Sequence, residues 1–577
     1  MKKFSPSAFL RSRFPLAIIA GLVLAAAFPK LGIAGFAWIA PGLMLGVALG
    51  KRGGEAFRIG YVAGLAHYLA SLYWLLNIPV AWFPILGWLA LAAFLALFPA
   101  TWVWLTLRLA PGAEGPGARV EAPWLGVMRE IYGQSWSRRM SWTVLSAAIW
   151  VGLEIVLTYI FGGFPWNLLA DSQYRIVPLI QFASFTGVYG VSFLIVWTSV
   201  SLLCGATSIL SNPAQRSPWM AEIILPFTAV VVAFGYGFHV LRQASPAGRE
   251  IKLALVQPGI PQQMIWDESK GRERFEDLMR LSEEALANPA DVLVWPEASL
   301  PGNPIDEHGQ IVKPIAELAR RHKAWLIIGG DDVQATQTET NYYNAAFLVD
   351  PEGKLANTYR KRGLVIFGEY IPLERWLPFI KWFTPITGSY TAGDRAVQFV
   401  FKGVAHPLFT NDVDEAMGTN APSLPISLGT LRSAQTSVLI CFEDTFPNLA
   451  RKSVEPDTDF LVNITNDGWF GEGAAQWQHA AAATFRTVEN GVPLIRCANT
   501  GLTCWMDANG RWRELFADEN GNVYREGFMT VTVPLPAGRH AQTFYNQHGN
   551  WFGWACVVLA VVRVAMGWRR RQKPSRH

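Results

Sequence analysis

Three apolar runs in this 577-residue chain end in residues that can do chemistry. Ser437-Val-Leu-Ile runs into Cys441-Phe-Glu443-Asp, Val292-Leu-Val into Trp295-Pro296-Glu297, and Tyr359-Arg360-Lys361 precedes Phe367-Gly-Glu369-Tyr370. Short apolar runs bounded by polar or turn residues read as buried strands. A strand end is a rigid place from which to present a reactive group. The three ends offer a thiol, a carboxylate and an ammonium. A thiol attacks as its thiolate and is mostly protonated at neutral pH, so it needs a base or a nearby cation. Glu297 can take the proton, since partial burial raises a carboxylate's pKa and improves it as a base. Lys361 can stabilise the thiolate and the oxyanion formed on attack at a carbonyl. Glu369 and Glu443 are positioned in sequence to orient the lysine or polarise a leaving group. Taken singly, each residue also reads as a core thiol or a solvated charge; the joint pattern carries the chemistry.

These strand ends need a layered domain to bring them together. Strand patterns fall at Ile251–Val256, Val292–Trp295, Ala324–Ile328, Ala345–Val349, Val438–Ile440, Phe460–Ile464 and Leu494–Cys497. Helical patterns fall at Ser269–Ala287 and Ala474–Glu489. Such alternation predicts an α/β layered domain. Residues 404–430 are aperiodic and read as a surface loop.

The rest of the chain belongs to a membrane. Hydrophobic residues make up 51% of it, charged residues only 16%, and its mean hydropathy is +0.21. A typical soluble domain has about 25% charged residues. The expected organisation is a helical bundle over 1–245, an α/β domain over 246–545, and a last helix with a basic tail over 546–577. Eight spans are expected: Phe14–Phe28, Leu31–Gly50, Ile59–Ile78, Pro84–Leu107, Trp142–Phe161, Val177–Leu203, Glu222–Leu241 and Trp551–Trp568. With eight, both termini share one side. The segments on that side carry 18 Lys/Arg and 4 Asp/Glu, a net of +14, while the remainder carries 31 and 40, a net of −9. Basic residues mark cytoplasmic loops, so both termini are expected in the cytoplasm and residues 250–545 outside it. The basic surplus is thereby explained without nucleic-acid binding.

Five cysteines occur, with no spacing that suggests zinc. Cys204 and Cys556 fall in apolar spans as packing residues. Cys497 and Cys504 read as buried thiols in neighbouring strands, with pairing in an oxidising compartment as the alternative. Glu154 lies inside the fifth span. A mid-membrane carboxylate is costly and faces the protein interior; a structural hydrogen bond is the simpler reading of it.

The Glu297, Lys361 and Cys441 pattern resembles the nitrilase superfamily. With the membrane spans around it, the chain resembles the apolipoprotein N-acyltransferase family over nearly its whole length. The matching stretches include Gly163-Phe-Pro-Trp166, Leu255-Val-Gln257, Ile260-Pro-Gln262, Trp295-Pro-Glu297, Phe367-Gly-Glu-Tyr370, Asn466-Asp467 with Trp469-Phe470, Gln478-His479 and Asn499-Thr-Gly501. The resemblance implies a multi-pass α-helical membrane bundle carrying an α-β-β-α sandwich. It implies Glu297 as base, Lys361 as oxyanion stabiliser and Cys441 as nucleophile, with Glu369 and Glu443 in support. Trp266 matches a tryptophan near the substrate entrance. Trp166, Trp469 and Phe442 are candidate substrate-contact residues; for Trp166 and Trp469, interface anchoring or core packing is the alternative. The implied reaction takes an acyl chain from a glycerophospholipid through a Cys441 thioester. It delivers the chain to the N-terminal S-diacylglyceryl-cysteine of apolipoproteins, with no metal or other cofactor. The implied location is the bacterial inner membrane, with the catalytic domain on the periplasmic side. The chain departs from the family pattern at Gly363 (usually His), Ile366 (usually Pro), Phe442 (usually Tyr) and Leu157 (often Arg).

Three other readings use the same residues. A membrane-bound nitrilase-type amidase would use the triad with water on a small amide. A Cys-His thiol hydrolase would take His479 as its base. A non-catalytic lipid- or lipoprotein-binding protein would keep the fold alone.

Overall fold

In β1 (Ala247–Gln257) alternate side chains enter different layers: Ile251, Leu253 and Leu255 face one apolar core, Ala254 and Val256 another. That period of two is the geometry of a strand covered on both faces. The computed structural model describes residues 13–80, 82–111, 130–131, 133–211, 218–243, 247–306, 309–335, 339–372, 388–407, 432–538 and 541–572. The segment 404–430 expected as a loop lies mostly outside them.

The chain divides into two units. One comprises Met1–Leu241, Gly473–Phe485 and Gln547–His577, the other Arg242–Glu472 and Arg486–Asn546. The second unit contains the further strands β2 (Val292–Val294), β3 (Trp325–Ala335), β4 (Thr340–Val349), β5 (Leu355–Arg360), β6 (Gln398–Pro407), β7 (Arg432–Ile440), β8 (Phe460–Thr465), β9 (Leu494–Ala498), β10 (Cys504–Met506), β11 (Trp512–Leu515) and β12 (Gly527–Pro536). They form one sheet in the order β12-β1-β2-β3-β4-β5 and another in the order β6 to β11. The two join where the end of β6 pairs with Arg249 and Glu250 at the start of β1. β1, β2 and β3 run parallel, as do β7, β8 and β9.

The inner faces of the sheets share one core. Ile251, Leu253, Val294 and Ile327 come from one sheet, and Val438, Ile440, Phe460, Val462, Ile464 and Ile495 from the other. On the outer face of the first sheet, Leu278, Leu281 and Ala285 of the helix Gly271–Leu286 pack with Ile315, Leu318 and Ala319 of Lys313–His322. The short helix Pro447–Ser453 lies against β7, whose Ser437 hydroxyl donates to Ser453 O at 2.6 Å. This is a two-sheet sandwich flanked by helices. Each buried Leu, Ile, Val or Phe contributes about 1.5–3 kcal/mol, which makes the shared core the main source of its stability. Cys497 and Cys504 sit in adjacent antiparallel strands, both buried and both free thiols.

In the first unit, four helices are long and apolar enough to cross a membrane: Phe83–Arg108, Trp136–Gly162, Val188–Leu210 and Met220–Arg242. At 23 to 27 residues each they exceed the ~20 residues that a ~30 Å hydrocarbon core requires. The expected count of eight is not reached among the described residues, for local reasons. Leu31–Gly50 is a 3-10 turn, Ala34–Trp38, followed by the nine-residue helix Ala40–Ala48, whose rise at 1.5 Å per residue is under half that core. Val177–Leu203 keeps its crossing helix but with a later start: two four-residue helices, Val177–Ile180 and Ala183–Thr186, end at Gly187 (φ +70°), and Val188–Ser211 follows. Phe14–Ala26 and Trp551–Gly567 are apolar but shorter.

Phe460 is fully buried and stacks on Phe401, with ring centroids 6.2 Å apart. Phe460→Ala is expected to remove about 3–5 kcal/mol from the second unit, seen as a lowered Tm by differential scanning fluorimetry of the full chain.

Candidate active site

The parallel strands deliver their carboxyl ends to one place. Lys361 directly follows β5, Cys441 directly follows β7, and Glu297 lies three residues beyond β2. Open α/β sheets place their sites at these ends. Lys361 Nζ donates to Glu297 Oε1 at 3.1 Å and to Glu369 Oε1 at 2.8 Å, with Lys361 only 1% exposed. Asn344 Nδ2, from β4, donates to the same two oxygens, each at 2.8 Å. The other oxygen of Glu297 accepts the Asn466 backbone N–H at 3.0 Å, and that of Glu369 the Val365 N–H at 2.8 Å. Two carboxylates, one ammonium and one amide thus form a closed, satisfied network. Burial alone would lower the lysine's pKa, but the Glu297 and Glu369 charges, with Cys441 adding to them, hold it well above its ordinary value. It stays an ammonium.

Cys441 is buried and sits at φ +52°. A non-glycine residue in that region is strained, and such strain persists only where its surroundings over-determine it. Glu443 is what fixes it here. Fully buried, its carboxylate accepts the N–H groups of Ile440 (2.7 Å), Arg362 (2.7 Å) and Gly363 (2.9 Å) and the Tyr359 hydroxyl (2.8 Å). It therefore ties the turn after β7 to the chain following Lys361. Burial raises its pKa, and these backbone donors oppose the rise. The Cys441 carbonyl accepts Asn463 Nδ2 at 2.9 Å. Beyond it, the buried Arg496 guanidinium pairs with Asp444 and, at 3.3 Å, with Asp467.

Burial pushes the Cys441 thiol well above its ordinary value; the Glu297 charge pushes it further, and Lys361 pulls back. The resting site holds a protonated thiol in electrostatic reach of a carboxylate and an ammonium. That arrangement can pass a proton from sulfur to carboxylate as sulfur attacks a carbonyl.

The structure brings Glu297, Lys361 and Glu369 into one network, places Cys441 in electrostatic reach of it, and sets Glu443 under the adjoining turn. Trp266 is 44% exposed and meets Trp469 edge-on, with centroids 5.2 Å apart. Phe442 packs on the inter-sheet core and against Phe446. Trp166, in the first unit, is 4% exposed; its indole N–H donates to Gln478 Oε1 at 2.8 Å and its ring packs on Trp74 and His479. It sits as a packing residue, the alternative weighed for it. The sequence reading missed Asn344, Tyr359 and Arg496. Asn344 had a signal, a lone amide entering the apolar run Ala345–Val349, because a buried amide must find partners.

Gly329 in β3 shows how tightly Glu297 is backed. A Cβ there would lie 2.4 Å from Pro296 O and 2.9 Å from Glu297 Cα.

A model of the carbon-nitrogen hydrolase family matches residues 252–526. A model of the apolipoprotein N-acyltransferase N-terminal domain matches residues 20–201. An apolipoprotein N-acyltransferase of Geobacter metallireducens is 34% identical over 572 residues, covering 97% of this chain and 96% of its own. One from Rickettsia prowazekii is 27% identical over 513 residues, covering 89% and 88%. Among solved structures, an amidase of the nitrilase superfamily from Nesterenkonia AN1 aligns with 53% of this chain and 95% of its own, at 16% identity and a TM-score of 0.32. Sheets, strand-end site and family match define the second unit as a carbon-nitrogen hydrolase domain, carried here by a chain with membrane-compatible helices. Over its whole length the chain belongs to the apolipoprotein N-acyltransferase family.

Asn344→Ala is expected to leave Tm within a few degrees of wild type and to slow acylation of Cys441 by about 10²-fold, the scale of a misplaced catalytic group. Pre-steady-state mass spectrometry checks it. Because the thiol's pKa is raised, alkylation of Cys441 by iodoacetamide should be slow at pH 7 and climb as pH passes the ordinary thiol value of 9.0. Glu297→Gln removes a charge that opposes the thiolate, so it should speed alkylation at a given pH; Lys361→Met should slow it. Peptide mapping of the alkylated residue reads both.

Proposed function

We propose that this protein transfers an acyl chain from a glycerophospholipid to the α-amino group of an N-terminal S-diacylglyceryl-cysteine on an apolipoprotein, through a thioester on Cys441. The observation that carries the reading is the buried Glu297–Lys361 contact, within electrostatic reach of Cys441, in a chain of this family.

In the first step the Cys441 sulfur bonds to the ester carbonyl carbon as its proton passes to Glu297. The Lys361 ammonium stabilises the oxyanion that forms. The ester C–O bond then breaks, and Glu297 returns the proton to the departing lysophospholipid oxygen. In the second step the acceptor amine attacks the thioester carbon and Glu297 takes its proton. The C–S bond breaks, and the sulfur recovers that proton. Glu369 and Asn344 hold Lys361 and Glu297 in register, and Glu443 holds the strained turn. Neither step calls for a metal or a nucleotide.

The apolar helices suit these substrates. Each acyl methylene is worth about 0.8 kcal/mol in the bilayer, so both lipids are best met without leaving it. The basic residues at the termini and in the short loops support an inner-membrane protein with cytoplasmic termini and a periplasmic catalytic domain. Exposed Trp266 with Trp469 offers an apolar surface for lipid. A water-dependent amidase would need none of these helices. Burial of Lys361 and Glu297 in one satisfied network disfavours a binding protein that had lost its chemistry. For the Cys-His alternative, His479 packs on Trp166, while the charges acting on Cys441 are those of Glu297, Lys361 and Asp467.

Intact mass spectrometry after incubation with phospholipid and no acceptor tests the proposal. The expected outcome is a mass gain of one acyl chain, labile to neutral hydroxylamine and absent in Cys441→Ala. Glu297→Gln should block formation of the adduct. A protein with bound but intact lipid and no adduct would overturn the two-step reaction.

A further inference from the structure

Among the buried carboxylates the mechanism does not use is one in the helical unit. Glu154 lies in the helix Trp136–Tyr159, 7% exposed. Its Oε1 accepts the Trp150 indole N–H and the Leu169 backbone N–H, both at 2.9 Å, whereas its Oε2 has no hydrogen-bond partner. Two further buried atoms in the same condition lie beside it: Nδ1 of His67 (3% exposed) and Oδ1 of Asn167 (7% exposed). All three residues line one cavity of about 30 Å³, whose walls are otherwise apolar and aromatic, with Phe28, Tyr68, Trp102 and Leu157 among them.

The orientation of Asn167 is fixed from outside the cavity. Its Nδ2 donates to Gln478 Oε1 at 3.2 Å. Gln478 in turn must present that oxygen, because its Nε2 donates to Pro29 O at 2.8 Å and Ser71 O at 3.1 Å. Oδ1 of Asn167 is therefore an acceptor turned away from the Gln478 network. The cavity offers two acceptors, Glu154 Oε2 and Asn167 Oδ1, and one imidazole nitrogen that donates in its Nδ1–H tautomer. No lysine or arginine is among its lining residues.

We infer that this cavity is a hydration site, in which bound water donates to Glu154 Oε2 and Asn167 Oδ1 and accepts from His67 Nδ1–H. Water supplies two donors and the acceptor these atoms lack. A water needs about 10–15 Å³ of such space and two to four polar partners, so the cavity takes one or two. Buried polar groups are almost always satisfied by protein or ordered water. The water completes the bonding of Glu154, which holds Leu169 in place, and of Asn167, which holds Gln478. It is thus a structural part of the helical unit.

Radiolytic hydroxyl footprinting of the full chain in nanodiscs tests this, because a bound water is cleaved where it sits. Tyr68 (8% exposed) should be labelled well beyond what its small exposure accounts for, while the fully buried Tyr189, bonded to Thr158, should not be labelled. The double substitution Glu154→Leu with His67→Phe should abolish the Tyr68 label. A map of the wild-type protein at a resolution that shows waters should place density within hydrogen-bond distance of the three orphan atoms. An unlabelled Tyr68, an empty cavity, or density for a lipid tail or detergent would each overturn the inference, and the wild-type measurements decide it even if the double variant fails to fold.

Discussion

The site depends on one buried ammonium held between two carboxylates. Lys361 is withdrawn from water almost completely, and Glu297 and Glu369 nearly so. Burying an unpaired charge costs several kcal/mol, so none of the three is stable there without the others. The geometry is correspondingly exacting. Lys361 Nζ and Asn344 Nδ2 meet the same pair of oxygens, and backbone N–H groups of Val365 and Asn466 take the remaining two. A network in which every carboxylate oxygen is engaged is rigid. It holds Glu297, the proposed base, in one orientation.

The proposed nucleophile is held by a different device. Cys441 occupies a left-handed backbone conformation that costs on the order of 1–3 kcal/mol. Glu443 offsets this with three backbone donors and a tyrosine hydroxyl, all drawn from the segments flanking Lys361 and Cys441. Two buried carboxylates on either side of the site thus do different work: Glu369 neutralises a charge, and Glu443 organises backbone. Gly363 enters this scheme only through its N–H, which any residue except proline would supply. The family's more usual histidine at that position is therefore dispensable to the turn itself. Phe442 lies in the inter-sheet core against Phe446, an environment where a ring without a hydroxyl needs no partner.

Much of this was legible in the sequence, and the reason is local. Each reactive residue closes an apolar run, and a strand covered on both faces announces itself by such a run. The strands around Leu253, Leu293, Leu439 and Val462 were recognisable on that ground. Elements whose stability comes from pairing were not. β5 and β11 are short and mixed in polarity, β10 has only three residues, and the helix Lys313–His322 has only three turns. Span boundaries shifted for a related cause: hydropathy cannot see the break at Gly187, which moves the start of one crossing helix to Val188, or the 3-10 turn at Ala34–Trp38, which interrupts another expected span. Asn344 and Arg496 could be noticed as odd, yet their partners lie on strands far away in sequence. Glu154 was read as a carboxylate with a structural hydrogen bond; it accepts two, from Trp150 and Leu169.

The resting charge state explains why one carboxylate can serve both halves of the proposed reaction. With the thiol's pKa raised by burial and by Glu297, the sulfur keeps its proton until a carbonyl arrives. Glu297 then gains the proton and loses it again to the leaving oxygen within one half-reaction. It meets the incoming amine as a carboxylate, the form needed to accept the second proton. Lys361 does not change charge at any stage, since two acids hold its proton, and it can therefore stabilise an oxyanion in each step. Such a site does not itself distinguish an amine from water. The distinction must come from holding the acceptor's nitrogen against the thioester, where a positioned group gains an effective concentration that water at ~55 M can lose to by orders of magnitude.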